Sequence, residues 1–186
     1  MFEKLTKEAR AVLRAAVQRS ERAGATGLRP EDLLLSLFDL PQTAAGGALA
    51  ALGVVEQRDS VERALAEAAR RAGLSQADAD ALADIGIDLS AVLERTEAAH
   101  GDDAIAVRDS TKPGWRPEYR PFSEGSRTVL QRALHEAAEN GAKKIGDQHL
   151  LLALATPPGV VADVLAAHGA TYTEIRRVLS RRPEAA

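Results

Sequence analysis

Apolar residues recur at three- and four-residue spacing in two separate stretches of the chain, and both stretches predict the same order of helices. In the first, Val12, Leu13, Ala16 and Val17 share one helical face between a cap at Thr6 and a stop at Gly24. In the second, Val129, Leu130, Ala133 and Leu134 do the same between Ser123 and Gly141. A short turn leads to Pro30-Glu31-Asp32 or Asp147-Gln148-His149, where a second helix starts. Proline suits a first helical position, and acids suit the positive end of the helix dipole. The run Leu33-Leu-Leu-Ser-Leu37 is apolar nearly all round, which marks a central, buried helix. Pro41 and Pro157-Pro158 then break the chain before a third helix that ends at Gly53 or Gly169. A fourth helix follows near Ser60–Ala72 and Tyr172–Arg182.

The shared order is a duplication. Sliding the chain on itself by 117 residues lays Leu5–Phe38 over Phe122–Ala155 with ten identities in 34 positions and no gap. An Ala/Leu-rich chain gives roughly three by chance. The identities include Arg10/Arg127, Gly24/Gly141 and the triplet Leu33-Leu34-Leu35 over Leu150-Leu151-Leu152. After a one-residue slip, Leu49–Gly53 matches Leu165–Gly169. Between the copies, Gln76–Ile85 and Leu89–His100 read as two more helices separated at Gly86. Their phrases echo the third and fourth helices; a partial half-repeat and convergent helical patterning both account for that. Residues 101–121 hold Pro113, Gly114, Pro117 and Pro121 and read as an extended linker. The predicted fold class is therefore all-α: two pseudo-twofold-related four-helix repeats with a helical insert and linker between them. The predicted organisation is repeat 1 over 1–73, insert 74–100, linker 101–121, repeat 2 over 122–182 and a tail over 183–186, as one composite domain.

Composition narrows the function classes. Apolar residues are 45% of the chain, mostly Ala, Leu and Val, which supplies a core and favours helices. There is no Cys, which excludes disulfides, thiolate chemistry and zinc–thiolate sites. The apolar runs are too short to span a bilayer, and Met-Phe-Glu-Lys lacks the order of a signal peptide, so a cytoplasmic protein is expected. A net charge of −3 disfavours an electrostatic grip on nucleic acid. Arg176, Arg177, Arg181 and Arg182 gather at the end of the last helix, where they complement its dipole. Trp115, Tyr119 and Phe122 alternate with Lys112, Arg116 and Arg120; this pattern can stack on bases, but more often pins an extended strap onto a domain.

Catalytic and nucleotide motifs are missing from the sequence. There is no Gly-x-x-x-x-Gly-Lys-Ser/Thr phosphate loop and no Gly-x-Ser-x-Gly elbow. His135-Glu136 lacks the second His of a zinc-protease helix, and His149 and His168 read as helix-start and helix-end residues. The acids Asp78, Asp80, Asp84 and Asp88 fail as a calcium loop because Leu82 and Ala83 stand where a ligand and the turn glycine belong. The sequence thus predicts a non-enzyme with no cofactor and no metal.

The repeat openings Leu5-Thr6-Lys7-Glu8-Ala9 and Phe122-Ser123-Glu124-Gly125-Ser126 resemble those of the Clp N-terminal domain family, found at the front of Clp-type AAA+ unfoldases. So do the second-helix starts Arg29-Pro30-Glu31-Asp32-Leu33 and Gly146-Asp147-Gln148-His149-Leu150, set against the family's Gly-Thr-Glu-His. The extra length between the copies resembles the stand-alone Clp-N proteins of actinobacteria. The resemblance implies recognition of Clp AAA+ ATPases, their substrates or their adaptors, as an adaptor or a decoy, and in some family members of phosphorylated arginine. It implies Thr6, Glu31, Ser123 and Gln148 as ligand-binding residues. A guanidinium wants a carboxylate, and a phosphate wants helix-start amides plus a hydroxyl. The first copy keeps the family's acid as Glu31; the second has Gln148, and Arg29-Pro30 replaces Gly-Thr. A plainer reading is that all four residues only cap helices. Two other classes stand beside recognition: a protein that sequesters cyclic peptide antibiotics in the groove between copies, and, disfavoured by charge, a helical nucleic-acid-binding regulator.

Overall fold

The computed structural model describes residues 4–25, 27–70, 81–82, 84–86 and 122–181. Among them are eight α-helices: α1 (Lys7–Arg22), α2 (Pro30–Phe38), α3 (Ala44–Ala51), α4 (Arg58–Arg70), α5 (Glu124–Glu139), α6 (Asp147–Leu154), α7 (Val160–Ala167) and α8 (Tyr172–Arg181). The first four and the last four are the two repeats, and the fold is all-α. Most of the insert and all of the linker, including Trp115 and Tyr119, lie outside the described residues.

The helix ends follow from residue chemistry. Gly24, Gly53, Gly141 and Gly169 all have φ between 65° and 81°, the left-handed conformation that a side chain disfavours and that stops a helix. The central helices are α2 and α6: Leu33, Leu34, Leu37, Leu150 and Leu151 have no exposed surface. Helix α1 packs on α2, and α5 packs on α6, within their own repeats. The outer helices cross over instead, α3 packing on α8 and α4 on α7, so a single core draws on both repeats. His168, the C-cap of α7, carries this crossing into hydrogen bonds: its Nδ1 lies 2.7 Å from the Val164 carbonyl and its Nε2 3.0 Å from the Ser60 hydroxyl of α4.

One polar contact pins the crossing at the heart of the core. Asp147, 3% exposed at the first position of α6, accepts a 2.6 Å hydrogen bond from the backbone amide of Ala45 in α3. It is more than an acid that favours the dipole of its own helix; it caps a helix of the other repeat. Gly46, the next residue of α3, lies so close to the chain before it that a Cβ would stand 2.3 Å from the Leu40 carbonyl oxygen. No side chain fits there without moving backbone.

Candidate functional site

Two single-residue parallel bridges join the repeats, Leu5 with Ile145 and Leu28 with Phe122. Under the 117-residue shift each is the image of the other, so they express the pseudo-twofold directly. At the first, the Thr6 amide donates to the Ile145 carbonyl at 2.9 Å and the Ile145 amide to the Lys4 carbonyl at 2.7 Å. At the second, the Ser123 amide donates to the Leu28 carbonyl at 3.0 Å, and the Ser126 hydroxyl bonds the same oxygen at 2.7 Å. The candidate residues are therefore brought together crosswise. Thr6 of the first repeat stands at the start of α6 with Gln148, and Ser123 of the second stands at the start of α2 with Glu31. Gly125 packs tightly at this second seam, where a Cβ would lie 3.1 Å from Cγ of Pro30.

The plain capping reading holds for two of the four residues. Thr6 Oγ1 accepts from the Ala9 amide at 3.1 Å, and Ser123 Oγ from the Ser126 amide at 3.2 Å. At the second helices the caps come from elsewhere: Asp32 Oδ2 accepts from the Arg29 amide at 3.0 Å, and His149 Nδ1 from the Gly146 amide at 2.9 Å. Both cap from the third helical position, reaching back to the residue before the helix. Glu31 and Gln148, one residue earlier, are left over from that task. The Gln148 amide instead folds over Gly146 and fills the space that a Cβ would take.

Glu31 Oε2 is buried with no hydrogen-bond partner. Burial pushes the Glu31 carboxyl above its ordinary range, partly offset by its own backbone amide and the nearby Arg29 charge, and reinforced by Asp32. A group whose folded-state affinity for protons exceeds its unfolded one stabilises the fold below its unfolded pKa and loses that contribution as pH rises through the folded one. Glu31→Gln is accordingly expected to raise stability at pH 7 by about 1 kcal/mol, the lower end of the cost of an unsatisfied buried group. The gain should vanish at acid pH, where Glu31 is protonated. Urea unfolding of both proteins at neutral and acid pH reads this out, and equal stability at pH 7 would contradict it.

Among the described residues no group of three or more His, Cys, Asp or Glu is placed to hold a metal ion, and no helix is long and apolar enough to cross a membrane. Two basic residues of α8 are engaged locally, Arg176 with the Tyr172 hydroxyl at 3.0 Å and Arg177 with Glu174.

Comparison with known proteins agrees with this geometry. Residues 121–184 match the family model described as the Clp repeat (R) N-terminal domain. No curated protein matches the chain. Among solved structures, the chain is similar to the N-terminal domain of the caseinolytic protease associated chaperone ClpD from Arabidopsis thaliana. The TM-score is 0.55 at 16% identity, over 97% of this chain and 94% of that one. The match to the Clp repeat N-terminal domain family thus covers residues 121–184, and the chain as a whole carries the fold of a Clp N-terminal domain.

Proposed function

We propose that this chain is a non-catalytic recognition module of the Clp protease system, which captures protein segments bearing a phosphorylated arginine and acts as an adaptor or decoy for a Clp ATPase. The observation that carries this reading is the Ser123–Glu31 seam. It sets the start of α5 against that of α2, beside a buried carboxylate oxygen that lacks a partner. A buried carboxylate oxygen without a partner costs stability, and an incoming guanidinium with its fork of N–H donors is the partner that relieves that cost. The adjoining start of α5 supplies the positive end of a helix for the phosphate. The Thr6–Gln148 seam has the same backbone but no charge for a guanidinium, so the two halves are unequal.

The reading is tested by titrating the chain with a phosphoarginine peptide and by capturing a purified Clp ATPase and its adaptors on the immobilised chain. Binding of the peptide, with the unphosphorylated arginine peptide markedly weaker, is expected. Absence of binding to the peptide and to every Clp component would overturn it.

A further inference from the structure

Lysine is scarce in this chain, and four of its five lysines meet at one place. The parallel pairing of Leu5 with Ile145 sets the backbone of Lys4 beside that of Lys144, with the Ile145 amide on the Lys4 carbonyl. Lys143 precedes Lys144, and Lys7 opens α1 directly after Thr6, which is bonded to Ile145. All four are exposed, and none takes part in an ion pair among the described residues. Like charges placed side by side across a pairing are unfavourable, and the start of α1 adds the positive end of its dipole. Three acids are near in sequence, fewer than the lysines: Glu3 precedes Lys4, and Glu8 and Asp147 are the others. Glu8 lies in the first turn of α1, and Asp147 is turned inward to the Ala45 amide.

The fold supplies its own control. The positions equivalent to Lys4, Lys7, Lys143 and Lys144 at the twin bridge are Pro121, Glu124, Thr26 and Gly27, with no lysine among them. The same backbone bridge therefore forms without these charges, and packing does not require them.

We propose that the lysine-lined Leu5–Ile145 seam docks an acidic segment of a partner protein, one with clustered Asp and Glu side chains. Four lysine ammonium groups on one small patch match a run of carboxylates. A net charge of −3 opposes the extended phosphate track of nucleic acid. A lipid surface needs apolar anchors beside the cations, and the described residues expose only two large apolar side chains, Ile85 and Leu134, neither of them in the paired segments around Leu5 and Ile145. The proposal deepens the recognition reading and rests on it for the idea that the chain captures protein segments. It assigns a different partner chemistry to the half that lacks a carboxylate.

The test is fluorescence anisotropy of a labelled Glu/Asp-rich peptide with the full chain. The variants are Lys143→Gln/Lys144→Gln and, as an equal loss of charge elsewhere, Arg63→Gln/Arg70→Gln on α4. The wild type is expected to bind, several-fold more weakly as NaCl rises from ~50 to ~200 mM. The lysine pair should weaken binding roughly fivefold and the arginine pair far less, in line with the modest strength of exposed charge pairs. Equal losses in the two double variants, or tighter binding of duplex DNA or anionic vesicles than of the peptide, would overturn the proposal. A phosphoarginine peptide titrated in parallel separates the two readings. Its binding should survive the lysine changes, and its failure alongside a bound acidic peptide would remove the phosphoarginine reading and leave this one.

Discussion

Truncating Leu151 to alanine is expected to cost about 3–4 kcal/mol of unfolding free energy, lowering the urea midpoint sharply with little change in slope. Leu151 has no exposed surface and sits in the middle of α6, the helix that packs on α1, α2, α3, α5 and α8. A leucine enclosed by several elements leaves a cavity that no single helix can collapse to fill, which keeps the cost clear of the low end of the usual range. The contrast is Leu134, 44% exposed on α5, where the same truncation should change stability by under about 0.5 kcal/mol. Equal losses at the two sites would mean that α6 is not the centre of the core.

The second large effect concerns the link between the repeats. Asp147→Ala is expected to cost about 2–3 kcal/mol, and Asp147→Asn less than half as much, because the amide oxygen of Asn can still accept from Ala45. The wild-type bond is short, 2.6 Å, and lies in the core, so its loss leaves a buried N–H with no acceptor. Its image in the first repeat is Pro30, which has no side-chain acceptor, so no symmetric bond shares the task. Thermal unfolding should fall by roughly 5–10 °C for a chain of this size and stay a single transition. A split into two transitions would show that the repeats fold as separate units.

Much of the fold could be read from the sequence because its signals are local. The leucine triplets mark α2 and α6, the glycines mark helix ends that need a positive φ, and Thr6 and Ser123 mark the caps of α1 and α5. The observed fourth helices, Arg58–Arg70 and Tyr172–Arg181, begin within two residues of expectation. The site was less legible. That Thr6 pairs with the second repeat and Ser123 with the first depends on backbone bonds between segments far apart in sequence, which leave no spacing pattern. The inward turn of Asp147 has the same cause: an acid at a helix start serves the dipole of its own helix equally well on paper. One signal for the site does stand in the sequence. Asp32 and His149 stand three residues after Arg29 and Gly146, the spacing of a side chain that reaches back to cap, and that alone frees Glu31 and Gln148 from the capping task.

The unequal halves of the molecule are the core of the functional account, and calorimetric titration with a phosphoarginine peptide tests them most directly. Wild type should bind one equivalent at the Ser123–Glu31 seam. Glu31→Gln should lose it at least tenfold, since a charged hydrogen-bonded partner contributes on the order of 1.5–3 kcal/mol. Gln148→Glu, which restores the missing charge at the Thr6 seam, should raise the stoichiometry from one equivalent to two. Unchanged affinity in Glu31→Gln, or a single equivalent in Gln148→Glu, would contradict the account.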